Sequence, residues 1–93
     1  MKYTYTVILR RDAEGQYTVF VPALPGCLTE GADLGEAVSM AKDAIACYVG
    51  SLLKEGLPVP EDASTITFER DDMVDALVIR VSAEVETGAG VYA

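Results

Sequence analysis

The groups in this 93-residue chain that could do chemistry are fifteen Asp and Glu side chains, two cysteines and a few serines, and histidine is absent. Without histidine, Ser39, Ser51, Ser64 and Ser82 have no ordinary general base, and no G-x-S-x-G elbow is present. Two-metal nuclease chemistry needs carboxylates converging on ions about 4 Å apart. The centre of the first strand, Thr4 to Leu9, holds no acid, and Leu77, Val78 and Ile79 hold none in the last. Asp43 falls on the polar face of a helix, where solvation accounts for it. Zinc would have to use scattered carboxylates or Cys27 and Cys47, twenty positions apart with no C-x-x-C pattern. These two are read as free thiols. Cys27 follows Pro-Gly, with Glu30 nearby to raise its pKa, and reads as a small packing residue. Cys47 reads as core or near-core. The residues imply no catalytic group, no metal and no cofactor, so the expectation is a protein that is not an enzyme.

Charge points the same way. Seven Lys and Arg against fifteen acids give −8 and a pI near 4.2. Such a chain repels phosphate backbones, which argues against direct nucleic-acid binding, and it suits a basic protein partner. Residues 61–75 hold six of the acids and one arginine. Glu61, Asp62, Glu69, Asp71, Asp72 and Asp75 are the candidate docking residues there. No signal peptide or apolar stretch long enough for a membrane span is present, so the expected location is the cytoplasm.

Residues 3–11 alternate Tyr3, Tyr5, Val7 and Leu9 against Thr4, Thr6, Ile8 and Arg10, the period of a strand. A turn at residues 12–15, with Gly15 free to take positive φ, returns the chain through a second strand at 16–21. Pro22 ends that strand or confines it to an edge, and Pro25-Gly26 makes a tight corner. A short third strand, 27–30, closes at Gly31. Asp33 then caps a helix, with Glu36 placed to complete a capping box. Leu34, Val38, Ala41, Ile45, Tyr48 and Leu52 recur at helical spacing, widened by Ala37, Ala44, Val49 and Leu53. Gly50 weakens its last turns, Gly56 is its expected C-cap, and Pro58 and Pro60 forbid continuation. Residues 64–68 read as extended and 76–85 as the last strand.

The predicted order is β-β-β-α-β, an α+β fold in two layers: a mostly antiparallel four-stranded sheet with one helix on one face, over residues 1–93 as a single domain. The helix is expected to carry the chain back so that the last strand runs parallel beside the first. The uncovered sheet face should then drive assembly into a homodimer or larger homo-oligomer. Tyr3, Tyr5 and Tyr17 are the candidates for self-association.

Gly15-Gln16-Tyr17, the tract VPALPGC at 21–27, Glu30-Gly31, Glu36-Ala37 and the exit EGLPVP at 55–60 together resemble the HicB family. The resemblance spans residues 3–60 well and the last strand more loosely. It makes Gly15, Pro22, Pro25, Gly26, Cys27, Gly31, Asp33, Glu36 and Ala37 the motif residues, and Ala32 and Gly35 small departures. It implies a partial ribonuclease-H-like domain that binds and silences a small basic mRNA-cleaving toxin, HicA. The C-terminal DNA-binding module of many relatives has no counterpart before Ala93, so DNA binding and autoregulation are not expected. The alternative is an orphan HicB-like domain, self-assembling and structural or binding a small molecule, without a toxin.

Overall fold

The computed structural model describes residues 1–63 and 76–85. Three strands come first, β1 (Lys2–Arg11), β2 (Tyr17–Phe20) and β3 (Leu28–Gly31), followed by helix α1 (Leu34–Lys54) and strand β4 (Ala76–Glu84). The spatial order is β3-β2-β1-β4, and every neighbouring pair is antiparallel. The expected α+β layering is present, but the last strand is not parallel to the first. At Asp62 the chain is still beside Thr6 of β1, whereas β4 begins opposite Arg10. A strand that starts at that end can only run back along β1 in the opposite sense. The expected extension at 64–68 lies outside the described residues.

Alternation along β1 sorts its side chains. Tyr5, Val7 and Leu9 face α1 and are buried with Val19 of β2 and Val81 and Ala83 of β4. The helix contributes Ala37, Ala41, Ile45 and Val49. This row, spaced by four throughout, lies within the expected stripe, whose first residue, Leu34, is instead 43% exposed. Small residues lead because the helix start lies almost on β3. A Cβ added at Gly31 would sit 2.4 Å from the backbone nitrogen of Ala37 and 2.5 Å from its Cα. Cys47, two positions past Ile45 and so on the far side of the helix, is exposed rather than near-core.

Both helix ends are closed. Asp33 Oδ1 accepts the Glu36 N–H at 2.8 Å, and Glu36 Oε1 accepts the Ala32 N–H at 2.9 Å, one residue beyond the expected reach. At the other end Leu57 N–H reaches the Leu52 carbonyl and Gly56 N–H the Leu53 carbonyl, a Schellman pair around Gly56. The tract at 21–27 folds as two successive β-turns, with bonds from Leu24 N to Val21 O and from Cys27 N to Leu24 O. Each turn has a proline second, Pro22 and Pro25. Gly26, at φ +78°, takes the position of the second turn that strongly favours glycine. The double corner turns Leu24 fully into the core, and the Tyr48 hydroxyl ties it to α1 by donating to the Pro25 carbonyl at 2.9 Å.

Because the clash at Gly31 is with backbone, Gly31→Ala is expected to destabilise the protein by about 2 kcal/mol or more in urea melts. Gly50 is the contrasting case, since its added Cβ would meet only Val85 Cγ1 at 3.9 Å. Gly50→Ala is expected to stabilise by about 0.5–1 kcal/mol.

Candidate interaction surface

The described residues hold no group of three or more His, Cys, Asp and Glu side chains placed to bind a metal ion. A depression of about 150 Å³ lies between Gln16, Glu30, Gly31, Ala32 and Glu36, below the roughly 300–1,000 Å³ of small-molecule sites. Glu36 is already engaged there by Ala32. Both cysteines are free thiols. Cys27 is buried in the core beside the corner, and its pKa is pushed up by burial first and by Cys47 second. Glu30, expected to be the cause, stands on the opposite face of the sheet, in register with Thr18 and Arg10.

The surfaces of this domain are best understood from β1, whose alternate residues bond to alternate neighbours. Met1 exchanges both backbone bonds with Val85 on the β4 side, so Thr6, an odd number of residues on, turns its N–H to the β2 side. The β1–β2 register ends with Ile8 opposite Phe20, and continued it would set Pro22 against Thr6. Proline has no N–H to complete that pair. Asp62 fills the gap: Oδ1 accepts the Thr6 N–H at 2.7 Å and the Ala63 N–H at 2.9 Å, while Oδ2 accepts the Thr6 hydroxyl at 2.8 Å. One residue along β1, the Tyr5 hydroxyl donates to the Pro60 carbonyl at 2.6 Å. Burial raises the Tyr5 pKa, and Tyr3 and Asp62 add to the rise. For Asp62, burial pushes the pKa up, but the bonds from Thr6 and Ala63 and the nearby Arg80 outweigh it and leave it lowered.

Asp62 is thus fixed to β1, while Glu61 beside it is exposed. Glu69, Asp71, Asp72 and Asp75 lie outside the described residues. Tyr5, at 2% exposure, is a core residue, which removes it from any self-association surface. Tyr3 and Tyr17 are half-buried against the same core. The motif residues cluster structurally: Pro22, Pro25, Gly26 and Cys27 build the corner, Gly31 and Ala37 the close contact, Asp33 and Glu36 the cap, and Gly15 the first turn. Sequence reasoning missed the bond from Thr6 to Asp62. Its signal was a proline two positions past the last ladder pair, which becomes legible only with the register in hand.

Asp62→Ala is expected to cost about 1 kcal/mol, less than the roughly 1.5–3 kcal/mol of a bond to a charged group because the carboxylate is partly solvated. Asp62→Asn keeps an acceptor and is expected to cost less. Folding lowers this pKa, so its stabilising share is full at neutral pH. That share is lost as pH falls below the ordinary carboxylate range and through the lowered value. Urea melts of wild type and Asp62→Asn taken from neutral to strongly acid pH are expected to converge in that range. A difference constant with pH would contradict this role.

The family described as HicB-like antitoxin of bacterial toxin–antitoxin systems matches residues 5–88. A UPF0150 protein of Thermoplasma acidophilum is 48% identical over 58 residues, covering 62% of this chain and 84% of that protein. A UPF0150 protein of Synechocystis is 40% identical over 60 residues, covering 64% and 76%. Among solved structures, a toxin–antitoxin complex from Streptococcus pneumoniae contains a chain with a TM-score of 0.77 at 20% identity, covering 90% of this chain and 70% of that one. The N-terminal domain of the Burkholderia pseudomallei antitoxin HicB gives 0.66 at 21% identity, covering 89% and 98%. These two likenesses are of fold. The family match extends from Tyr5 in the core, through the double corner and the capped helix, to the end of β4: this chain belongs to the HicB-like antitoxin family.

Proposed function

We propose that this chain is the antitoxin of a toxin–antitoxin pair, which binds and silences a small, basic, mRNA-cleaving toxin of the HicA kind. It does so by covering the toxin, without chemistry of its own, from the cytoplasm, and without touching nucleic acid. The observation that carries this reading is the family match over residues 5–88, together with a fold shared over 90% of the chain with a member of a toxin–antitoxin complex. The net charge of −8 supports it, because an acidic surface steers a basic partner and speeds encounter. Exposed Glu61 opens the tract in which Glu69, Asp71, Asp72 and Asp75 follow, and this tract is the proposed docking edge. Asp62 adds charge to it while holding β1.

The test is RNA cleavage by a cognate HicA-type toxin, with and without this chain added. Cleavage is expected to fall to background at equimolar antitoxin, and undiminished cleavage at excess would defeat the reading. Reversing Glu61, Glu69, Asp71 and Asp72 to Lys is expected to slow association about tenfold at low salt, with a much smaller effect at high salt, as for steering charges. Equal association rates for the two proteins would remove the tract from the interface.

A further inference from the structure

The sheet face opposite α1 carries a straight apolar row. Leu28 pairs with Phe20, Phe20 with Ile8 and Ile8 with Val78, so each of the four strands contributes one side chain to a line across the sheet. The two ends stand in solvent, Leu28 at 60% and Val78 at 46% exposure, and Ile8 and Phe20 between them are half-buried. On one side the row is flanked by Glu30, Thr18 and Arg10. On the other come Thr6 and Arg80, then Thr4 bonded to Ser82 at 2.7 Å, then Lys2 beside Glu84.

Charge decides what fits there. The face holds three bases, Lys2, Arg10 and Arg80, and three acids, Glu30, Glu84 and the Asp62 bonded to Thr6. These cancel, so among the described residues, ten acids and six bases, the acidic excess lies elsewhere. Two copies of an acidic protein repel over most of their surfaces and meet at least cost where local charge sums to zero. A basic partner gains no such advantage on a neutral face. An apolar centre with a mixed-charge border is what a copy requires.

We propose that this face is a homodimer interface, two sheets stacked through the Leu28–Phe20–Ile8–Val78 row. Sheets packed face to face keep their strands within about 30° of each other, so rows near the axis stay matched. A two-fold axis midway between β2 and β1 sets Phe20 against Ile8 of the partner subunit and Leu28 against Val78 of the partner subunit. At about 4.8 Å per strand and 3.3 Å per residue, the face measures on the order of 19 by 20 Å. That is small beside the roughly 800 Å² per partner of standard interfaces, so the dimer forms reversibly, in the micromolar range.

Sedimentation equilibrium of the full chain from low to high micromolar concentration tests this independently of any toxin. The wild type is expected to move from 9.9 kDa to about twice that mass. Leu28→Glu and Val78→Glu, at positions already exposed in the protomer, are expected to keep the wild-type circular dichroism and weaken dimerisation at least tenfold. Leu57→Glu, 48% exposed at the helix exit, is expected to leave the dimer intact. A wild type monomeric throughout would overturn the proposal, as would a dimer that ignores both open-face changes. If Leu28→Glu dimerises normally but no longer restrains the toxin, the face belongs to the toxin and the proposal fails. A wild type that dimerises through this face yet leaves RNA cleavage untouched supports the interface and counts against the antitoxin reading alone.

Discussion

The contact between Gly31 and the first turn of α1 is the constraint on which the rest depends. No side chain larger than hydrogen fits between the end of β3 and the Ala37 backbone. The helix is therefore pressed against the sheet at its N-terminal end, and its buried row begins with alanines, Ala37 and Ala41, before it widens to Ile45 and Val49. The cap at Asp33 and the double-turn corner fix the approach from both sides. One carries the chain off β3 into the helix, and the other turns Leu24 beneath it and is tied back by Tyr48. A single helix held this closely covers the centre of one face of the sheet, and the opposite face keeps its apolar row and mixed charges.

Much of this was legible in the sequence, because it is local. Alternation in β1, the proline and glycine placement at 22–26, the cap residues and the Gly56 exit each follow from the geometry of a few neighbouring residues. What escaped depends on distant partners. The direction of β4 is set by where the chain stands at Asp62, which a helix-then-strand pattern does not record. Within the expected helix stripe the residues spaced by four from Ala37 are the buried ones, because β3 approaches through a glycine, and Leu34 and Cys47 lie outside that row. The bond from Asp62 to Thr6 required knowing that Pro22 falls opposite Thr6. Ile8 and Val78 stood on the outward side of their strands in any reading, but only the register aligns them with Phe20 and Leu28.

The surfaces divide by charge rather than by composition. Among the described residues the open face is balanced, and the acidic excess lies on the remainder, including exposed Glu61 at the start of the acidic tract. On the two proposals above, the open sheet takes a copy of this chain and the acidic tract takes a basic toxin, so the two partners do not compete. Neither contact needs a reactive group, in keeping with an antitoxin that acts by occupancy. Asp62 sits at the boundary of the two surfaces, its carboxylate bonded to the open-face residue Thr6 and its backbone continuing from Glu61.

The most direct test of this division is methyl NMR of the full chain labelled at isoleucine, leucine and valine, recorded on dilution and again on titration with the toxin. The account predicts that Ile8, Leu28 and Val78 respond to dilution and stay unmoved by toxin, while residues near Glu61, such as Val59, respond to toxin. Open-face methyls that shift with toxin and ignore dilution would contradict it.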